Sequence, residues 1–118
     1  MELTPELVEL LIARLVPPDD REVVANLLAV YGRQPYEREP VRVRVALLKL
    51  SEGNVDRLRT LLADAQRDYR DVLAWAEYPA EMAGPVTGVS SAEQTRIRQA
   101  DRGQYLAWLA KHTGQSRP

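Results

Sequence analysis

The stretch Val41-Arg42-Val43-Arg44-Val45-Ala46-Leu47-Leu48-Lys49-Leu50 decides the fold. Val41, Val43, Val45 and Leu47 alternate with Arg42, Arg44 and Ala46 as in a half-buried strand. Val41, Val45 and Leu48, and Leu47 with Leu50, also recur at helical spacing. Helix is the better reading. Pro40 fits a first helical position, where its missing N–H is no loss, and Ala46 to Leu50 all favour helix. A lone strand would have no visible partner in the chain. Ser51-Glu52-Gly53 closes the segment.

Outward from this stretch the same period continues. Towards the N-terminus, Thr4-Pro5-Glu6 reads as a helix start, with Thr4 as cap and Glu6 at the positive end of the dipole. Leu3, Leu7, Leu10, Leu11 and Leu15 follow at helical spacing until Pro17-Pro18 stops them. Asp19 and Glu22 have the positions of a capping-box variant before the stripe Val23, Val24, Leu27, Leu28, Tyr31, which Gly32 ends. Arg33 to Pro40 reads as a loop.

Towards the C-terminus, Asn54 caps the strongest helical signal: Val55, Leu58, Leu61, Leu62, Ala65, Tyr69, Val72, Leu73 and Ala76. It runs to Pro79, with Asp68 placed to start a second helix inside it. Residues 79–90, with two prolines and two glycines, predict a loop. Ser91 with Gln94 then predicts a C-terminal helical segment over 91–112, which Gly103 is placed to divide. The expected architecture is a single all-α domain over 1–118, a compact bundle of about four to six helices.

Composition agrees. The chain of 118 residues is 45% hydrophobic, enough for one core, since a domain of this length buries roughly two thirds of its unfolded surface. Cys is absent, which excludes disulfides and thiolate metal sites, and Phe is absent too, so the interior must be mainly Leu and Val. Lys plus Arg number 16 against 17 for Asp plus Glu, a balance without the global signature of a nucleic-acid or anionic-membrane binder. The basic residues are 14 Arg and 2 Lys, a bias spread along the whole chain. No basic run precedes an apolar one at Met1-Glu2-Leu3, so a cytoplasmic location is expected. The apolar stretch from Leu7 to Val16 is shorter than the ~20 residues that span a bilayer, so no membrane partner is expected.

The run from Val41 to Asn54, followed by Arg67-Asp68-Tyr69-Arg70-Asp71-Val72-Leu73-Ala74-Trp75-Ala76-Glu77-Tyr78-Pro79, resembles a family of small uncharacterised bacterial helical proteins. The resemblance covers about residues 41–79. It implies a helical bacterial protein and carries no activity or functional residues with it.

The leading functional expectation is a non-enzymatic protein-interaction or structural domain without a cofactor, its partner a second copy of the chain or another protein. Trp75 and Tyr78 are its candidate interaction residues. Trp75 sits off the stripe of Tyr69, Val72, Leu73 and Ala76, so either the segment after Ser91 folds back over it with Tyr105, Trp108 or Leu109, or it anchors a partner. Fold-back is the expectation. An enzyme is the alternative: Asp64, Asp68 and Asp71 fall at i, i+4 and i+7, so on one continuous helix their carboxylates would share a face fit for magnesium. Arg67 and Arg70 offer that face a simpler neutralisation.

A nucleic-acid binder using Arg38, Arg42, Arg44, Lys49, Arg57 and Arg59 ranks third, because Glu37, Glu39, Glu52 and Asp56 interleave with those cations. Glu52 and Asn54 occupy positions where a helix-turn-helix needs apolar residues, so a plain helical hairpin is expected there. His112, the one histidine, suits a helix C-terminus better than catalysis. Gly84-Pro85-Val86-Thr87-Gly88 lacks the lysine of a phosphate loop.

Overall fold

A computed structural model, which describes residues 2–84 and 88–114, contains seven α-helices and no strand among those residues. They are α1 (Pro5–Leu15), α2 (Arg21–Val30), α3 (Pro40–Ser51), α4 (Val55–Arg67), α5 (Tyr69–Glu77), α6 (Pro79–Ala83) and α7 (Ser91–Thr113). The protein is an all-α bundle, and the stretch 41–50 is helical. Its alternation has a physical cause. Helix α3 is central, packed on α1, α4 and α5, and Val43, Val45, Ala46, Leu47 and Leu48 are all fully buried, so apolar residues are needed nearly all round it.

Local chemistry starts most of the helices. Thr4 Oγ1 accepts from the Leu7 amide at 3.2 Å, and Asn54 Oδ1 from the Arg57 amide at 3.0 Å. The signal over 54–77 is two helices, because Asp68 ends α4 and its Oδ1 accepts from the Arg70 amide at 3.1 Å to open α5. Asp19 caps nothing: Pro18–Asp20 form a 3-10 turn, and α2 starts after Asp20 without a side-chain cap. Instead Arg21 reaches back to close α1, donating to the Ala13 and Val16 carbonyls at 2.9 and 3.0 Å. Arg44 closes α2 in the same manner, through the Leu28 and Tyr31 carbonyls at 2.9 and 2.6 Å.

Two expectations for the C-terminal third need correction. Residues 79–90 are not loop throughout, since Pro79–Ala83 form α6, with Pro79 at its first position and its free amides satisfied by Asp101 of α7. The cap of α7 is Ser90 and not Ser91: Ser90 Oγ accepts from the Glu93 amide at 3.1 Å. Helix α7 then runs undivided through Gly103 and lies against α6, α1 and α5. The turn between α3 and α4 is pinned to the end of α1. Gly53 adopts φ +79°, and a Cβ there would collide with the Leu15 carbonyl oxygen.

Candidate functional site

Two hollows meet at the end of α5, and Ala74 and Tyr78 line both. The smaller, about 300 Å³, is polar and apolar in about equal measure and lies between α3 and α5. Glu77 is 1% exposed at its edge, and Arg42 of α3 grips it in parallel, Nε to Oε2 at 2.8 Å and Nη2 to Oε1 at 2.6 Å. Arg42 Nη1 also meets Glu39 Oε2 at 2.7 Å. The hydrogen bonds that the guanidinium donates to Glu77 outweigh its burial and push the Arg42 pKa up. Tyr105 of α7 lies in the field of the same pair, its hydroxyl pKa raised first by burial and then by Glu77. That hydroxyl is buried with no protein partner among the described residues. Arg70, also on the wall, is held by Asp68 at 3.0 Å. The charges of this hollow are matched internally.

The larger hollow, about 540 Å³, lies between the end of α5, α6 and α7, and Glu81, Met82, Gly84, Gln94 and Arg98 complete its wall. Met82 is 48% exposed. The Arg98 guanidinium stands 5.6 Å from the Tyr78 ring centre and grips Glu81 through two hydrogen bonds of 2.7 and 3.1 Å. Those bonds hold the Glu81 carboxyl below its usual pKa. One turn further along α7, Arg102 is exposed and makes no ion pair among the described residues. The hollow therefore offers a polarisable, mainly apolar surface at Tyr78 and Met82 beside the paired charges of Glu81 and Arg98.

The structure separates the three aspartates. Asp64 on α4 pairs with Arg67 at 2.6 Å, Asp68 stands between the helices bound to Arg70, and Asp71 is exposed on α5. The common face needed for magnesium would require one continuous helix, and the break at Asp68 removes it. Among the described residues no three His, Asp or Glu side chains are grouped to hold a metal. Trp75 is half-buried against the core, and α7 packs against α5. Of the Arg38 to Arg59 cations, Arg42 and Arg44 are turned inward to Glu77 and to the end of α2, and Arg57 pairs with Glu52 at 3.3 Å. His112 lies in the last turn of α7, its ring 5.2 Å from that of Trp108. Residues 85–87 of the glycine-containing stretch lie outside the described residues.

Sequence reasoning reached Tyr78 and passed over Glu77, Met82 and Asp101. Glu77 did carry a signal: it lies four residues beyond Leu73 and eight beyond Tyr69, on the apolar stripe, where a carboxylate demands a cation. No helix among the described residues is long and apolar enough to cross a membrane. Comparison with protein-family models, curated proteins and solved structures finds no match to this chain.

Proposed function

We propose that the protein is a protein-interaction domain without enzymatic activity, and that the hollow at Tyr78 and Met82 receives an apolar side chain carried beside Asp or Glu on a segment of a partner protein. The observation that supports this reading is the half-exposed Met82, which with Tyr78 lines a hollow of about 540 Å³. Tyr, Met and Arg are the residue types enriched where protein surfaces meet, and Met adapts its shape to what it receives. The preference for an acidic neighbour is read from Arg102, exposed one turn along α7 from Arg98. Arg98 is already matched by Glu81, while Arg102 has no such match among the described residues.

Selection of displayed peptides on the full chain tests the proposal. Enriched peptides should pair an apolar residue with Asp or Glu. Their affinity should fall by about tenfold or more with Met82→Asp, as for a lost hot spot, and less with Arg102→Glu. Peptides that bind Met82→Asp unchanged, or a selection without enrichment, overturn it. A dimer in sedimentation that Met82→Asp dissolves would assign the hollow to a second copy and also overturn it.

A further inference from the structure

Helix α6 is held in place without burying anything. Pro79, Ala80, Met82 and Ala83 are exposed, Glu81 is half-buried, and a helix of five residues does not persist alone in water. Its hold comes from α7. The Asp101 carboxylate, 2% exposed, accepts from both free amides at the start of α6, Oδ1 from Ala80 at 3.2 Å and Oδ2 from Glu81 at 3.0 Å. One turn earlier on α7, Arg98 grips the Glu81 carboxylate through two bonds and covers the Tyr78 ring. Lys49 of α3 adds a positive charge within the field of Asp101. The attachment of α6 is thus almost wholly electrostatic, unlike that of α3, whose hold is apolar burial.

We propose that α6 is a charge-held latch, which opens and closes on α7 while the α1 to α5 core stays folded, with Asp101 and Arg98 as its clasp. Few buried apolar contacts and a solvent-exposed ion pair, that of Glu81 with Arg98, are features of segments that open below the global unfolding free energy. Screening weakens the exposed Arg98–Glu81 pair, so salt favours the open form. Glu81 and Met82 form a wall of the larger hollow, so opening would reshape it. In that consequence, though not in its support, the inference rests on the docking reading.

Amide hydrogen exchange followed by NMR on the full chain, with no peptide present, tests the latch separately from docking. The Ala80, Glu81, Met82 and Gly84 amides, all hydrogen-bonded, should exchange together, protected but faster than those of Leu47 and Leu48. Asp101→Asn should speed exchange at Ala80 and Glu81 by about tenfold or more, the loss of bonds to a charged acceptor, with Leu47 and Leu48 unmoved. Arg98→Gln and molar salt should each give a smaller acceleration at the same amides. Unprotected amides in the unaltered chain, rates indifferent to Asp101→Asn, or rates that move only in step with Leu47 would each overturn the latch. Should Asp101→Asn fail to fold, Arg98→Gln and the salt series decide, and no acceleration in either refutes it.

Discussion

Arg42 and Glu77, 35 residues apart, are joined by two parallel hydrogen bonds that tie the start of α3 to the end of α5. Glu77 is the enclosed partner, with 1% of its side chain exposed against 37% for Arg42. Removing the cation leaves an uncompensated buried carboxylate, so Arg42→Met should lower unfolding stability by about 3–5 kcal/mol. The double change Arg42→Met with Glu77→Leu should recover most of the loss, because an apolar pair needs no matching charge. Urea unfolding of the single and double variants measures both. Simply additive losses would mean that the pair does not act as a unit.

Two glycines should respond to alanine with opposite sign. Gly53→Ala places a methyl against the Leu15 carbonyl at a positive φ and should cost roughly 2 kcal/mol or more. Gly103 sits within α7 with nothing within 4 Å of a Cβ, so Gly103→Ala should stabilise by about 0.5–1 kcal/mol. Thermal unfolding monitored by circular dichroism compares them directly.

Alkaline conditions should act through Tyr31. Its hydroxyl donates to the Arg38 carbonyl at 2.8 Å, and burial, reinforced by Glu37, raises its pKa from 10.0 to about 12. Folding keeps the proton that the unfolded chain releases, so this contribution is intact below pH 10 and drains away as pH rises towards about 12. Denaturation midpoints across that range should fall, and Tyr31→Phe should flatten the slope. An equally steep slope in the variant would place the titration elsewhere.

Tyr105→Phe should raise stability by about 1 kcal/mol, since it keeps the ring and deletes a buried hydroxyl that no protein group among the described residues satisfies. Calorimetry settles it. A loss of stability would show that the hydroxyl is satisfied in solution.

What was legible in the sequence is what depends on neighbours in the chain. Thr4, Asn54 and Asp68 announce helices because each cap acts two or three residues ahead, and Pro40 declares α3 against the alternation that follows it. Helix α6 escaped notice because its cap, Asp101, lies about twenty residues downstream, and no local pattern encodes that contact. The Asp19 and Glu22 pattern misled because Pro18 opens a tighter turn over the same residues. Among the candidate residues, the shared face of Asp64, Asp68 and Asp71 depended on a continuous helix, and the capping power of Asp68 was itself what broke it. Tyr78 was named, whereas Met82 lay inside a stretch read as loop and so gained no face.

The forks of Arg21 and Arg44 bear on what the 14 arginines and 2 lysines mean. Each guanidinium straddles two carbonyls at a helix end with separate N–H groups, a planar grip that an ammonium does not reproduce. A chain with lysine at all fourteen positions would keep the same net charge of -1, yet its corners after α1 and α2 would each lose the second strand of their tie. At those two corners arginine serves as joinery, invisible to any census of charge.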